Sequence, residues 1–137
     1  MPRILVADDD PLQLDLRRTV LEMAGYQVDS ALTVDSTLRA LRTHFADAVV
    51  MDLRFPNEVG VSDPEEGMAL IRRLREAGYA APIIVLSGWP EQLYGRPEES
   101  MISCILLKPV KIQVLLDTLR ELLASSSGRS SGSGATR

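Results

Sequence analysis

Short runs of apolar residues alternate along this chain with segments in which apolar residues recur every three or four positions. The runs predict five strands, the second being the weakest, at 4–7, 27–30, 47–52, 82–87 and 102–107. Most of these runs are apolar throughout, which is typical of strands buried on both faces of a parallel sheet. Strand followed by helix, repeated five times, predicts an α/β fold: a doubly wound parallel sheet with helices on both faces.

Capping residues mark where three of the helical segments begin. Asp10, followed by proline, predicts the N-cap of the first helix, Thr33 opens the second, and Asp63, again followed by proline, opens the third. In the first helix Leu12, Leu16, Val20 and Met23 recur at helical spacing.

Length and composition predict the domain organisation. The chain has 137 residues, of which 45% are hydrophobic and 25% charged, enough for one hydrophobic core. Turn formers dominate 88–101, around a short helix near 97–101, and the last helix covers 112–123. We therefore expect one domain at 1–123, followed at 124–137 by a Ser/Gly-rich segment that is either a flexible tail or a truncated linker.

The content of cysteine, histidine and charged residues excludes several classes of function. Cys104 is the only cysteine and His44 the only histidine, which excludes a disulfide framework, a cysteine zinc site and a histidine metal cage. Without a long apolar run or a signal-peptide pattern, the sequence favours a soluble, cytoplasmic protein with no membrane contact. Residues 1–123 contain 13 basic and 19 acidic residues, a balance that disfavours direct binding to nucleic acid or to an anionic membrane.

Polar side chains follow four of the five predicted strands, at the point where each apolar run stops. Asp8 and Asp9 follow the first strand, Asp52 ends the third, Ser87 ends the fourth and Lys108 follows the fifth. The carboxyl ends of parallel strands line the ligand crevice of an open α/β sheet, and strands one and three are neighbours there in the common order 2-1-3-4-5. We therefore expect three carboxylates to converge in one pocket, beside a hydroxyl and an ammonium group.

These residue types indicate phosphoryl chemistry at a carboxylate. Three carboxylates repel one another unless positive charge offsets them. A donor set made only of oxygens selects Mg²⁺, with Mn²⁺ as the alternative. The ammonium group of Lys108 suits a phosphoryl group, and the hydroxyl of Ser87 can donate to one. Asp52 is then the expected nucleophile, since a carboxylate can form an aspartyl phosphate.

Four segments of the chain follow one another as they do in a known family. They are ILVADDDP at 4–11, VVMDLRFP at 49–56, IVLSG at 84–88 and LLKP at 106–109. Taken together they closely resemble the receiver domain of two-component response regulators, over residues 3 to about 123. The resemblance implies a CheY-like, flavodoxin-like (βα)5 fold with strand order 2-1-3-4-5.

The resemblance also implies an acceptor and a metal site. Asp52 is implied to take a phosphoryl group from the phosphohistidine of a sensor histidine kinase or a phosphotransfer protein. The implied Mg²⁺ ligands are Asp9 and Asp52 directly, Asp8 partly through water, and the backbone carbonyl of Arg54.

Two further positions complete the implied site. Ser87 takes the place of the family's switch hydroxyl, and Lys108 that of the lysine that pairs with the phosphoryl oxygens. A receiver is not a conventional enzyme: it catalyses its own aspartyl phosphorylation and slow dephosphorylation, and phosphorylation switches a protein-interaction surface. The output partner or domain stays open, and so does the oligomeric state, with a dimer through the last two helices as one alternative.

Two features depart from the family pattern. Ile105, three residues before Lys108, stands where receivers usually carry an aromatic residue that turns inward when the hydroxyl moves. The usual aromatic readout is therefore not expected here. The loop at 54–66, after Asp52, is several residues longer than usual, and we expect it at the mouth of the site, where it is placed to affect partner docking or the access of water.

Other functions compete with this one. An aspartyl phosphatase of the haloacid dehalogenase group needs a second acid two residues after its nucleophile, but Arg54 occupies that position, and Asp52 ends the third strand rather than the first. A pseudo-receiver, which binds proteins without turning over phosphate, is disfavoured by the full acidic set and Lys108, although Ile105 favours it. For the output, we expect either a single-domain regulator or a linker at 124–137 that leads to an output domain.

Overall fold

Five parallel strands form the central sheet of the structure, a computed structural model that describes residues 1–130, with side chains up to residue 125. All strands of the described residues, including two that lie outside this sheet, are in chain order β1 (Arg3–Ala7), β2 (Gln27–Ala31), β3 (Ala48–Asp52), β4 (Phe55–Pro56), β5 (Ser62–Asp63), β6 (Ile83–Ser87) and β7 (Cys104–Leu107). The sheet has the order β2-β1-β3-β6-β7, and each pair of neighbours is parallel. Because β4 and β5 form a separate antiparallel hairpin, this is the predicted order 2-1-3-4-5, and the fold prediction is confirmed.

Helices cover both faces of the sheet. In the described residues they are α1 (Pro11–Met23), α2 (Val34–Thr43), α3 (Pro64–Glu76) and α4 (Ile112–Ser130). Side chains alternate along each strand, so Ile4 of β1 packs into the core that α1 and α4 cover, while Leu5 packs into the core that α2 and α3 cover. The two cores separate the helices into the two outer layers of a doubly wound domain.

The predicted N-caps are confirmed. Each cap side chain accepts a backbone N–H that no carbonyl of the helix itself can reach. The bonds are Leu12 N–H to Asp10 Oδ1 at 3.0 Å, Ser36 N–H to Thr33 Oγ1 at 3.0 Å and Glu65 N–H to Asp63 Oδ1 at 2.9 Å.

The buried face of α1 is not formed by the apolar residues that recur most regularly along it. Leu12, Leu16 and Met23 are 81%, 52% and 83% exposed, whereas Leu14 and Leu21 are buried. A helix advances by about 100° per residue, so Leu14 lies roughly 200° around the axis from Leu12. The helix thus carries apolar residues on two opposite faces, and periodicity alone could not decide between them.

The connection from β6 to β7 contains two short 3₁₀ helices, Pro90–Gln92 and Pro97–Met101, where strict repetition of strand and helix predicts an α-helix. The expected short helix near 97–101 is present. Proline lacks the backbone N–H that a longer helix needs, and Gly95 between the two turns has a φ of +78°, outside the helical range. These two turns therefore take the place of a fourth α-helix between β6 and β7.

The last helix extends further than its apolar period. α4 runs from Ile112 to Ser130, whereas the sequence pattern ends the helix at 123 and assigns 124–130 to the tail. Serine costs a helix only roughly 0.5 kcal/mol relative to alanine, so a helix without proline can continue past its buried stripe. Residues 131–137 of the predicted tail lie outside the described residues, and both the domain boundary and the flexibility of the tail stay predictions.

A close backbone contact holds α3 against the end of β3. A Cβ atom added to Gly67 would lie 1.9 Å from the carbonyl oxygen of Leu53, so a side chain there would force the two elements apart. This contact brings the start of α3 next to Asp52, the last residue of β3.

Candidate functional site

Three carboxylates meet at the carboxyl edge of β1 and β3. Ala7 lies opposite Met51 in the parallel pairing of these strands, so the residues that follow β1 lie beside the end of β3. One carboxylate oxygen from each of Asp8, Asp9 and Asp52 lies within 4.8 Å of the other two. Asp8 and Asp52 are buried, and Asp9 is half-buried. The structure therefore brings together the three acids that the sequence places at the strand ends.

Lys108 reaches this cluster from β7, across β6. Its Nζ atom lies 2.9 Å from Oδ2 of Asp52. The backbone N–H of Lys108 donates to the carbonyl oxygen of Ser87 at 2.9 Å, which ties the end of β7 to the end of β6. The Lys108–Pro109 peptide bond is cis. The ammonium group thus neutralises the carboxylate at the end of the central strand.

Arg17 pairs with Asp8 and is a site residue that sequence reasoning missed. Its guanidinium group makes an ion pair with Oδ2 of Asp8, while Oδ1 accepts the N–H of Asp10 at 2.9 Å. Arg17 lies three residues after Leu14 and four before Leu21, so it shares the buried face of α1. Helical spacing identifies Arg17 once that face is known, whereas the recurring apolar residues of α1 are mostly exposed.

The electrostatics of the cluster suit a divalent cation. Burial and the charges of Asp8 and Asp52 raise the pKa of the Asp9 carboxyl group. Repulsion among the acids is therefore only partly relieved by Arg17 and Lys108, and a cation would offset the rest. Three carboxylate oxygens without thiol or imidazole are a hard donor set, so the residues present fit Mg²⁺.

Ser87 lies beside the acids at the end of β6. It is buried, and its Oγ atom accepts the backbone N–H of Trp89 at 3.0 Å. Above it lies a cleft of about 680 Å³ whose lining includes Asp9, Asp52, Arg54, Ser87, Trp89 and Lys108. This cleft has room for a phosphoryl group and for part of the group that delivers it.

The long loop after Asp52 contains the β4–β5 hairpin and forms one wall of the cleft. The side chain of Asn57 accepts the N–H groups of Val59 and Val61, both at 3.0 Å, which closes the turn. Arg54, at the start of the loop, places its guanidinium carbon 5.2 Å from the centre of the Trp89 ring. The sequence places this loop at the mouth of the site, and the structure has Arg54 and Ser62 in the cleft lining.

The remaining residues considered from the sequence lie elsewhere. Ile105 is half-buried on β7 and packs against the core on the α2 and α3 side. Cys104 is half-buried, and burial raises the pKa of its thiol. His44 is exposed at the C-cap of α2. Neither Cys104 nor His44 lines the cleft.

Comparison with known proteins places this arrangement in a family. A parallel α/β domain with an acidic cluster at its carboxyl edge defines the CheY-like, flavodoxin-like class. The family profile described as response regulator receiver domain matches residues 4–120. The chain belongs to this family, which confirms the resemblance seen in the sequence.

Two curated relatives show how much of a longer protein the chain resembles. It is 28% identical over 134 residues to the virulence transcriptional regulatory protein PhoP of Salmonella typhimurium, covering 96% of this chain and 56% of the relative. It is 27% identical over 132 residues to the transcriptional regulatory protein PhoP of Escherichia coli K12, covering 94% and 55%. The chain thus spans about half the length of these relatives.

Solved structures share the fold across almost their whole length. A CheY-like receiver domain from Methylobacillus flagellatus superposes with a TM-score of 0.76 at 26% identity, covering 89% of this chain and 98% of that one. The response regulator TrrA of Thermotoga maritima, in complex with Mg²⁺-BeF, gives a TM-score of 0.75 at 24% identity, covering 89% and 99%.

Within residues 1–130, no helix is long and apolar enough to cross a membrane.

Proposed function

We propose that this receiver domain accepts a phosphoryl group on Asp52 from the phosphohistidine of a sensor histidine kinase or a phosphotransfer protein, in the cytoplasm. The observation that carries the proposal is the position of the Asp52 carboxylate, which lines an open cleft, lies 2.9 Å from the Lys108 ammonium and lies within 4.8 Å of Asp8 and Asp9. A nucleophile, a cation for the phosphoryl oxygens and a set of oxygen donors for a metal ion are thus combined at one sheet edge.

The acidic cluster would hold Mg²⁺, with Mn²⁺ as the alternative. By family resemblance, Asp9 and Asp52 would be direct ligands, Asp8 would act partly through water, and the backbone carbonyl of Arg54 would complete the protein ligands. When bound, the ion supplies positive charge next to the phosphoryl oxygens. Arg17 orients the Asp8 carboxylate through its ion pair.

The residues of this chain supply the remaining chemistry. An oxygen of Asp52 attacks the phosphorus atom of the phosphohistidine. The new O–P bond forms as the P–N bond breaks, and the electron pair of that bond stays on the imidazole nitrogen. Lys108 neutralises the phosphoryl oxygens, and the hydroxyl of Ser87 donates to one of them. In the slow dephosphorylation that follows, the oxygen of a water molecule bonds to phosphorus as the bond from phosphorus to the Asp52 oxygen breaks. Inorganic phosphate and a proton are released, and the carboxylate of Asp52 is restored.

Phosphorylation would change a protein-interaction surface rather than a nucleic-acid contact of this domain. The residues up to 123 are strongly acidic, which opposes direct contact with phosphate backbones. The relatives are named transcriptional regulatory proteins and are about twice as long as this chain, which supports an output through a further domain or a separate partner. As one alternative, we propose a dimer formed through the last two helical segments of the chain. In the structure the first of these segments consists of the two 3₁₀ turns within residues 90–101, and the second is α4.

Labelling with phosphoramidate tests the acceptor role, because this small donor carries the same P–N bond as phosphohistidine. Intact-protein mass spectrometry should show one added phosphoryl group when Mg²⁺ is present and none with a chelator. The Asp52→Asn variant should not be labelled. The matched control is Asp10→Asn, which should be labelled normally because Asp10 serves as an N-cap and asparagine caps equally well. Equal labelling of wild type and Asp52→Asn would refute the proposal.

A further inference from the structure

Arg17 brings a largely buried positive charge from α1 into the acidic cluster. Its side chain is only 13% exposed, and its guanidinium group makes an ion pair with Oδ2 of Asp8, whose side chain is 1% exposed. Nη2 of Arg17 also donates to Oε1 of Gln13, one turn earlier on the helix, at 3.4 Å. Arg17 lines the same cleft as Asp52. Two neighbours thus hold this cation at the edge of the proposed metal site.

Both oxygens of the Asp8 carboxylate have partners within the protein. Oδ1 accepts the backbone N–H of Asp10 at 2.9 Å, and Oδ2 accepts from the guanidinium group of Arg17. A carboxylate oxygen that pairs with a guanidinium group offers less negative charge to a metal ion, or to a water molecule bound to that ion. Arg17 and a divalent cation would therefore compete for the charge of Asp8.

The ion pair also changes the charge of the whole cluster. Three carboxylates, those of Asp8, Asp9 and Asp52, are contacted by two cations, Arg17 and Lys108. Their formal charge is therefore −1, and it would be −2 without the arginine. Attraction between charges a few ångströms apart is stronger in a partly buried site than in water. Removing one positive charge should therefore strengthen the binding of a divalent cation.

We propose that Arg17 sets the Mg²⁺ requirement of this receiver by weakening the binding of the ion. The site then fills, and Asp52 is phosphorylated, only at Mg²⁺ concentrations above those that the same carboxylates would need without the arginine. The proposal rests on the proposed function of the cluster. Arg17 is a positioning residue, because it contacts Asp8 and acts on the ion through that carboxylate.

A purely structural role for Arg17 predicts the opposite change in metal affinity. If the ion pair only held Asp8 in place for the metal, breaking it would misplace a donor and weaken binding. The hydrogen bond from the Asp10 N–H group to Asp8 does not involve Arg17 and keeps the carboxylate oriented. The direction of the change in affinity therefore separates the two roles.

Metal titration tests the proposal without any phosphorylation. Mn²⁺, which is bound by the same kinds of oxygen donor, is titrated into the protein, and the free ion is counted by electron paramagnetic resonance. Competition then gives the affinity for Mg²⁺. Arg17→Leu should bind Mg²⁺ roughly 10- to 100-fold more tightly, the factor that corresponds to one charge a few ångströms away.

Two further substitutions at this position separate charge from contact. Arg17→Gln loses the charge but keeps an N–H donor for Asp8, so it should also bind Mg²⁺ more tightly than the wild type does. It carries the test if circular dichroism shows that Arg17→Leu does not fold. Arg17→Lys keeps the charge and should bind Mg²⁺ with nearly the affinity of the wild type.

The matched control is Arg18→Leu, which removes the same charge from the next residue of the helix. Arg18 is exposed, pairs with Glu22 at 3.2 Å and does not line the cleft. Solvent and salt screen an exposed charge, so Mg²⁺ affinity should change by less than about twofold. Equal tightening in Arg18→Leu and Arg17→Leu would show that only the net charge of the domain matters, which would overturn the proposal.

The Mg²⁺ dependence of labelling by phosphoramidate measures the consequence for Asp52. Half-maximal labelling of Arg17→Leu should need less Mg²⁺ than that of the wild type, by the same factor as the change in affinity. If neither Arg17→Leu nor Arg17→Gln binds Mg²⁺ more tightly than the wild type, the proposal is overturned, while labelling of the wild type still supports Asp52 as the acceptor. Absence of both metal binding and labelling in every variant would refute the proposed function itself, so the two failures are distinguishable.

Discussion

The Lys108 side chain is the cation nearest the carboxylate that we propose is phosphorylated. It reaches Asp52 across β6, and its side chain is 30% exposed. An ammonium group that pairs with a carboxylate in the free domain can pair with the phosphoryl oxygens once the carboxylate is phosphorylated, because the phosphoryl group carries more negative charge. We therefore expect the same side chain to stabilise both the free site and the phosphorylated site.

Replacing Lys108 tests whether its ammonium group takes part in phosphorylation. Lys108→Ala should be labelled roughly 10- to 100-fold more slowly, the rate factor that corresponds to one lost charge-assisted hydrogen bond. The fold should stay intact, which circular dichroism can verify. The matched control is Lys111→Ala, the other lysine of the chain, which is exposed. Normal labelling of Lys108→Ala, together with a normal conformational response to phosphorylation, would show that the lysine has no part in the site.

At the residue scale, the sequence predicts positions fixed by backbone topology and misses those fixed by side-chain packing. Asp52 and Lys108 could be placed because each stands where a strand ends, and parallel strands end at one edge. Arg17 could not, since its place depends on which face of α1 is buried. The contact of Arg54 with Trp89 depends on the path of a loop, for which the sequence has no periodic signal.

Among the elements, the connection from β6 to β7 is tied to α3 by a buried ion pair. Glu98 in the second 3₁₀ turn is 2% exposed. Its Oε2 atom lies 2.5 Å from Nη1 of Arg72 on α3, and Oε1 lies 3.5 Å from Nε of Arg96. Arg96 also makes two hydrogen bonds to Glu65 at the start of α3, of 2.8 and 3.0 Å. These contacts hold the β6–β7 connection, which contains no α-helix, against α3.

The contribution of Glu98 to the free energy of unfolding should depend on pH. Burial raises the pKa of its carboxyl group, but the hydrogen bonds from Arg72 and the backbone, with the charges of Arg96 and Arg72, outweigh this and hold the pKa below the ordinary value of 4.5. The ionised group therefore adds stability above about pH 4.5, and this is lost as the pH falls through the lower pKa of the folded state. Glu98→Gln should lower the free energy of unfolding by about 1–3 kcal/mol at pH 7, and by less in acid.

Urea unfolding of the wild type and of Glu98→Gln, at pH 7 and at acidic pH, measures this difference in the free energy of unfolding. The matched control is Glu99→Gln, because Glu99 is the exposed next residue in the same turn. A loss of stability that is equal at the two pH values, or larger in acid, would show that the charge of Glu98 does not stabilise the connection.

Ile105 on β7 should respond weakly to phosphorylation. It is half-buried and already packs against the core, so moving it inward gains only a little apolar burial, at about 25 cal/mol per Å². Amide NMR shifts on adding beryllofluoride, a mimic of the phosphoryl group, should be large at Ser87 and Trp89 and small at Ile105. The Asp52→Asn variant is the control and should show no shifts. A swing of the Ile105 side chain from exposed to buried would contradict this prediction.

At the scale of elements, strong apolar runs were sufficient to predict the strands, and mixed segments were not sufficient to orient the helices. β3 and β6 are buried along their whole length, so their pattern has one interpretation. α1 has leucines on two opposite faces, so its apolar pattern does not decide which face is buried. In the β6–β7 connection, prolines and Gly95 interrupt any helical period, and only the short turn at 97–101 could be predicted.

For the whole molecule, one arrangement of strands and helices accounts for both the buried cores and the position of the proposed site. The two cores bury both faces of the sheet, which leaves the carboxyl edge as the place where polar side chains can gather without disturbing the packing. Strand order 2-1-3-4-5 makes β1 and β3 neighbours there, so acids that are 44 positions apart in the sequence, Asp8 and Asp52, share one site. The strand order thus creates the carboxyl edge at which we propose that the domain is phosphorylated.

Locating the phosphoryl group on the chain tests the central claim most directly. The protein is labelled with phosphoramidate and Mg²⁺ and treated with borohydride, which reduces an aspartyl phosphate to homoserine. Peptide mass spectrometry then identifies the modified residue. We predict homoserine at position 52 alone, with Asp8, Asp9 and Asp10 unmodified. Homoserine at another aspartate, or a phosphoryl group that borohydride does not remove, would contradict the assignment of Asp52 as the acceptor.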